Sequence, residues 1–281
     1  MNLNKYRKKF RFLKKIIIKI EKIIFNLFNS ILPNRIKYYF LKNKIYIQKK
    51  GEKIFSVRNF SSTCIMRAET FFTKEPDTIK WIESFNKNDI FLDIGANIGI
   101  YSLYAAKNVS KVWAIEPESL NFAMLNLNIF DNDLNSKITA LPLSLHEITK
   151  IDMLNINNLD WGEALNSFNN TKDQFGKNFI PSFNQGSYSI KLDDLINFIG
   201  RVDHIKVDVD GNEDVILAGA LKTLKEKKIK SILIELDENL KNYESILENI
   251  IKNGYTLKSK TASPFHPEIF GSTKNHIFYS E

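Results

Sequence analysis

The chain has a single cysteine, Cys64, in 281 residues. No intrachain disulfide can form, which fits a reducing compartment and excludes a disulfide framework. No group of Cys and His has the spacing of a zinc site. Long apolar runs are missing as well. The uncharged stretch near the N-terminus from Ile23 to Leu32, before Pro33, is ten residues, too short for a membrane-spanning helix. No small-residue cleavage site follows a clean apolar core, so a secretory signal is not expected. There is no internal repeat, no loop ending in Gly-Lys-Ser/Thr, and no Gly-x-Gly-x-x-Gly fingerprint.

Acidic residues are scarce in one region only. Residues 1–50 carry 15 Lys/Arg against one acid, Glu21, while the remaining 231 residues carry a net charge of −6. The overall +8 therefore belongs to the N-terminal segment, and a uniformly basic nucleic-acid surface is disfavoured. Leu13, Ile16, Ile17, Ile20, Ile24, Leu27, Phe28 and Ile31 fall on one helical face, with Lys14, Lys15, Lys19 and Lys22 away from it. Such a basic amphipathic helix has two readings. It lies on an anionic membrane surface, or it docks on the rest of the chain or on a second subunit. The expected organisation is a helical extension over 1–43 and an α/β domain over 44–281. Pro33 ends the extension's helix.

Lys44 to Val57 reads as a hairpin turning at Lys50-Gly51, and Pro76 opens a helix. Strands are expected at 91–94, 112–116, 138–143, 204–209 and 231–236, with helices at 99–107, 119–130, 213–226 and 240–252. This alternation predicts a Rossmann-like, mostly parallel seven-stranded sheet with helices on both faces. The last two strands form an antiparallel closing hairpin from 255–258 and 275–279. Residues 150–188 have little periodicity and read as a long insertion, a length that points to function. Trp161, Phe168, Phe175 and Tyr188 offer flat surfaces there, or simply pack the segment down.

Asp93-Ile-Gly-Ala-Asn-Ile-Gly99 sits where a strand turns into a helix, and Gly95 and Gly99 allow a sharp turn close to a ligand. Glu116-Pro117 ends the next strand, where a carboxylate can bind the hydroxyls of a ribose. A pyrophosphate is a poor fit, because Asn97 takes part of its space and Asp93 would repel it. The same aspartate suits the ammonium of a methionine moiety. The pair reads as an S-adenosylmethionine site, against the plainer reading of a glycine-rich corner.

Several stretches resemble the FkbM-type methyltransferases, a family of class I S-adenosylmethionine-dependent enzymes. They are Glu75-Pro76, Leu92 to Leu103, Ile115-Glu-Pro117, Asn128 to Leu134, Lys191-Leu-Asp-Asp-Leu195 and Ile205-Lys-Val-Asp-Val-Asp-Gly-Asn-Glu213. The family usually has Asp-Val-Glu-Gly-x-Glu in the last, so Asp210 is a departure. The resemblance implies a class I methyltransferase fold. It implies that Asp93, Gly95, Ala96, Asn97 and Gly99 shape the methionine end of the pocket, that Glu116 and Pro117 lie at the ribose, and that Ser144 lies near the adenine. Asn128 and Asn132 read equally as helix-end caps.

Asp208 follows an apolar strand and faces the carboxyl edge of the sheet, where ligands bind in open α/β folds. Asp208 and His146 are the candidate proton acceptors; Asp210, Glu213 and Trp161 are candidate substrate contacts. Asp208 and Asp210 share a side if the strand end stays extended. Alternatively, Gly211 is a turn residue and Glu213 a helix-start charge. His204 reads as structural, and His266 and His276 have no visible partner. A divalent metal on Asp208, Glu235 and Asp237 has no supporting spacing, so no metal is assigned.

The resemblance implies O-methylation of a hydroxyl on a sugar or glycan precursor. The lone cysteine fits the cytoplasm, and the membrane reading of the basic segment puts peripheral association at the inner membrane face through residues 1–32. No nucleic-acid partner is expected. A nucleic-acid methyltransferase would place Asn/Asp-Pro-Pro-aromatic where this chain has Asp208-Val-Asp-Gly. A non-catalytic scaffold would have damaged cofactor residues, whereas these are intact.

Overall fold

The computed structural model describes residues 44–172, 174–264 and 271–281, with Ile20, Ile23, Leu27, Ser30, Ile31 and Pro33. The chain divides into units 1–43 and 44–281. In the first, Ile20, Ile23, Leu27, Ser30 and Ile31 are helical and exposed. The rest of the expected N-terminal helix lies outside the described residues, as does His266.

In the second unit β1 (Lys44–Lys49) and β2 (Glu52–Arg58) pair as the expected hairpin, turning at Lys50-Gly51 where both φ angles are positive. Helices α1 (Ser62–Glu69), α2 (Phe71–Lys74) and α3 (Pro76–Glu83) follow. The alternating part then runs β3 (Ile90–Ile94), α4 (Ile100–Ala105), β4 (Lys111–Ile115), α5 (Ser119–Asp131) and β5 (Ile138–Leu141). It resumes with α6 (Leu192–Ile199), β10 (His204–Val207), α7 (Glu213–Ala218), α8 (Leu221–Lys225), β11 (Ser231–Asp237) and α9 (Tyr243–Lys252). β12 (Tyr255–Ala262) and β13 (Thr273–Ser280) close the sheet.

The seven strands lie in the order β12-β13-β11-β10-β3-β4-β5, five parallel and β13 antiparallel to both neighbours. This is the Rossmann-like, mostly parallel sheet expected. Central strands are apolar on both sides because each face is covered. Phe91, Val112, Ala114 and Leu233 pack under Ile79, Leu103 and Met124. Leu92, Ile94, Ile205 and Ile234 pack on the other side under Leu195, Ile216, Leu224 and Ile250.

Three expectations need correction. Residues 150–188 are not an irregular insertion: β7 (Lys150–Ile156), β8 (Ser167–Phe168) and β9 (Phe183–Ile190) join β6 (Ser144–Leu145) in a second sheet. The helix expected over 213–226 is two short ones, broken where Gly219 passes the chain at His146. A Cβ on Gly219 would lie 2.6 Å from the His146 carbonyl oxygen. Asn128 is not a helix-end cap: its side-chain oxygen accepts from the Arg58 amide of β2. Asn132 is the expected cap, ending α5 with its side-chain amide donating to the Asn128 carbonyl, and it also bonds Ser56, so both residues tie α5 to the hairpin.

At the amino edge of the sheet, away from the ligand edge, His204 bonds Ser231 and Asp89 and stacks on Phe85 at 3.8 Å. Its role is structural, as expected. His276 does have a partner, the Tyr243 hydroxyl at 2.8 Å.

Candidate functional site

Register sets the site. Lys206 of β10 lies opposite Asp93 of β3, so the two strands end together at the carboxyl edge. The loop after β3 folds back, and the Gly95 and Ala96 amides both donate to the Ile115 carbonyl. Gly95 has φ +80°, and a Cβ there would stand 1.8 Å from the Asp208 carbonyl oxygen, so only glycine fits. Gly99 is also left-handed, but it faces Leu125 of α5, whose Cδ1 would be 2.4 Å from a Cβ. Its part is helix packing rather than ligand contact. Ala96 is buried with its amide spent on Ile115, so neither residue touches the ligand space directly.

Asp93 is 1% exposed; Oδ2 accepts from the Ser102 hydroxyl at 2.6 Å, and Oδ1 has no partner. Burial pushes its pKa up, against the opposing pull of Lys206. A buried, unpaired carboxylate oxygen is costly, and an ammonium or amide donor from a ligand would satisfy it. Glu116 is buried, with Oε2 accepting from the Asn97 amide and Oε1 from the Glu118 amide, and burial pushes its pKa to about 8. Each oxygen keeps a lone pair for a ribose hydroxyl. Asn97 is held by both ends, its side-chain amide donating to the Glu163 carbonyl at 2.8 Å.

Two cavities flank this loop. A small one, about 50 Å³, is lined by Ile115, Pro117, Leu143, Ser144 and Leu145, a narrow and largely apolar slot. The Ser144 hydroxyl bonds that of Ser187 at 3.0 Å. A larger one, about 320 Å³, is lined by polar groups including Asn97, Asn157, Gln174, Asp208, Asp210 and Glu235. Gly95 lines both. The donor set would fit S-adenosylmethionine: Asp93 would meet an ammonium, Glu116 ribose hydroxyls and the apolar slot a base, and Asp93 and Glu116 lie behind the walls of the two cavities rather than lining them.

The larger cavity gathers charge. Lys206, 1% exposed, donates to Asp208 Oδ2 at 2.6 Å. Burial opposes its charge, but Asp208, Asp93 and Glu75 outweigh that and raise its pKa. Burial raises Asp208 too, and Lys206 more than offsets it, leaving the carboxyl below its ordinary range. Burial and the Asp208 charge push Asp210 up to about 6. Burial, then Asp208 and Glu75, raise Glu235 well above the carboxylate range.

β10 stops at Val207 and Asp210 has φ +58°, so the extended strand end expected for Asp208 and Asp210 is not there. The turn still brings their oxygens together, within 4.8 Å of each other and of Glu235. Asp210 also accepts from the Leu165 amide at 2.7 Å.

Other candidates lie elsewhere. His146 lines neither cavity; its Nδ1 accepts from the Ile148 amide, its ring packs on Phe168, and burial lowers its pKa. It is not placed as the base. Glu213 is 4% exposed and turned inward, with Oε1 accepting from the Val209 and Gly211 amides. It tethers the turn rather than meeting substrate, which is the helix-start reading with the turn added. Trp161 packs on Phe60 at 5.2 Å and holds its loop to α1 through Ser61. Glu163, Ala164 and Leu165 of that loop line the larger cavity, and Trp161, Phe168, Phe175 and Tyr188 do not. Asp237 bonds Asn239 and Ser272 outside it. Arg67, Lys74 and Thr273 also line it, and no local sequence pattern marks them.

A family model described as the methyltransferase FkbM domain matches residues 93–257, more than half of the chain. No curated protein matches the sequence. Among solved structures, the chain is similar to Trm5 of Methanocaldococcus jannaschii in complex with adenosine. That match has 11% identity over 85% of this chain and 57% of the other, with a TM-score of 0.47. It is similar to an rRNA methylase of Streptococcus thermophilus, with 10% identity over 73% and 92% and a TM-score of 0.43. It is also similar to precorrin-6y C5,15-methyltransferase of Geobacter metallireducens, with 11% identity over 74% and 87% and a TM-score of 0.43.

Proposed function

The chain belongs to the methyltransferase FkbM domain family, and from that premise we propose that it methylates a hydroxyl of a sugar or glycan precursor with S-adenosylmethionine. The observation that supports this reading is the apolar slot on one side of Gly95 and the polar, carboxylate-bearing chamber on the other, with an unpartnered Asp93 oxygen buried at the end of the strand before that loop. When bound, the cofactor supplies a methyl group on a positively charged sulfur.

The chain's own share is positioning and proton removal. An acceptor oxygen forms the new O–CH₃ bond, the C–S pair stays on sulfur, and the hydroxyl proton leaves at the Asp208, Asp210 and Glu235 end of the chamber. Lys206 keeps Asp208 ionised, and Leu165 holds Asp210 in place. Asn157, Gln174 and Glu163 line the chamber and offer the donors and acceptors that a polyhydroxylated ring needs. No aromatic ring lines it among the described residues, where recognition of a flipped base would use stacking.

Calorimetry tests the cofactor assignment. Asp93→Ala and Glu116→Ala should each weaken S-adenosylmethionine binding by roughly 1–3 kcal/mol, the cost of leaving a buried ligand group without its hydrogen-bond partner. Unchanged affinity in both variants would sink it. Mass spectrometry of glycans from cells with and without the gene tests the acceptor: a methyl group should vanish from a sugar, and an unaltered glycan profile rejects the sugar assignment.

No helix among the described residues is long and apolar enough to cross a membrane. We place the enzyme in the cytoplasm, with residues 1–32 as an anchor to anionic lipid.

A further inference from the structure

Carboxylates crowd the larger chamber. Asp208, Asp210 and Glu235 line it with Glu163, and Arg67 and Lys74 are the cations on its wall. Asp208, Asp210 and Glu235 are half-buried and act on one another, and burial and that repulsion raise Asp210 and Glu235. Buried charges are paired, metal-bound or neutralised.

The oxygens are also available. Asp208 spends Oδ2 on Lys206 and Asp210 spends Oδ2 on the Leu165 amide, leaving one oxygen of each free. Glu235 has no hydrogen-bond or ion-pair partner among the described residues. Oxygens of the three lie within 4.8 Å of one another. Opposite ligands stand about 4.8 Å apart around an ion with 2.4 Å bonds, and about 4.2 Å apart around magnesium. A second observation, independent of charge, points the same way. Thr273 lines this chamber, is only 6% exposed, and its hydroxyl has no hydrogen-bond partner.

We propose that Asp208, Asp210 and Glu235, with the Thr273 hydroxyl, form a binding site for one hard divalent cation of the magnesium, manganese or calcium class. The donor set is all oxygen, which selects against zinc and copper. Four protein oxygens leave positions open for water or for hydroxyls of the acceptor. A coordinated hydroxyl has a lowered pKa, so the cation, rather than a carboxylate, would ready the acceptor oxygen. That last clause rests on the proposed methyl transfer; cation binding does not.

The test uses the full chain, stripped with chelator and titrated with Mn²⁺ under electron paramagnetic resonance. One saturable Mn²⁺ per chain is expected, displaced by Mg²⁺ or Ca²⁺. Glu235→Gln and Asp210→Asn should each weaken it by more than the roughly tenfold that losing an outer-shell partner costs. Thr273→Val should weaken it less, and Glu244→Gln on the exposed face of α9 should leave it unchanged. Two carboxylate variants and a hydroxyl variant guard against one failing to fold, which circular dichroism reports.

No saturable binding at millimolar Mn²⁺ overturns the site, as does binding that Glu235→Gln and Asp210→Asn both leave intact. Calorimetry with S-adenosylmethionine on the same samples separates the two readings. Cofactor binding without Mn²⁺ binding removes the cation alone, whereas Mn²⁺ binding without cofactor binding removes the methyltransferase mechanism alone.

Discussion

Replacing Glu213 by glutamine should make the protein more stable, by an amount that grows with pH. The side chain is 4% exposed, and a single oxygen, Oε1, accepts both the Val209 amide at 3.3 Å and the Gly211 amide at 3.2 Å. Glutamine keeps that acceptor and removes the charge. Burial outweighs the two amide bonds and lifts the Glu213 pKa from 4.5 to about 8. A carboxyl whose folded pKa is raised contributes stability that is fully present below pH 4.5 and is lost as pH rises through 8.

Between pH 5 and pH 7 the wild type therefore loses about 2.5 kcal/mol through this group, at 1.36 kcal/mol for each pH unit across most of that window. Urea unfolding at pH 5, 6, 7 and 8 measures it. The variant's advantage should be under about 1 kcal/mol at pH 5, reach about 3 kcal/mol at pH 7 and flatten above pH 8. Glu116 and Glu235 titrate alike in both proteins and cancel in the difference. An advantage that stays constant across the series would refute the reasoning, and so would a loss of stability at pH 5.

Gly95→Ala should cost more than about 2 kcal/mol, from left-handed strain plus overpacking, and should abolish cofactor binding. Urea unfolding and calorimetry read the two effects, and wild-type affinity would contradict the close approach to Asp208. Deleting residues 1–32 should leave a folded, cofactor-binding protein that no longer sediments with anionic liposomes. Basic residues near such a surface contribute about 1 kcal/mol each, screened by salt. A full-length chain that ignores liposomes at low salt, or a deletion that unfolds the domain, makes the segment a packing element.

Two central strands could be read because they are continuous apolar runs ending in aspartate or glutamate, Ile90–Asp93 and Val112–Glu116. The second sheet could not. Ile151 and Met153 of β7 point outward at 80% and 52% exposure while Lys150 and Asp152 sit half-buried between them, so the alternation of residue types runs against the burial. Asp208 was legible from its place after a strand. Thr273 reaches the site only because β13 pairs backwards along β11, setting Thr273 against Asp237 and Asn275 against Glu235, and Arg67 and Lys74 arrive on helices that precede the whole sheet. The buried Lys206 hides inside a strand motif, where a lysine between isoleucine and valine reads as a solvated edge. Glu213 matched the family's motif and turned out to hold its own turn, because a carboxylate next to free backbone amides satisfies them before it reaches anything else.

The contact between Gly95 and Asp208 has a kinetic consequence. Two loops from neighbouring strands meet there through bare backbone, with no side chain to act as a cushion, and each chamber has that seam as a wall. Neither loop can be pressed toward the other without closing that contact, so a molecule that pushes on one loop from its own chamber would bear on the wall of the other. Presteady-state binding rates measured with one chamber filled and then empty would display that coupling.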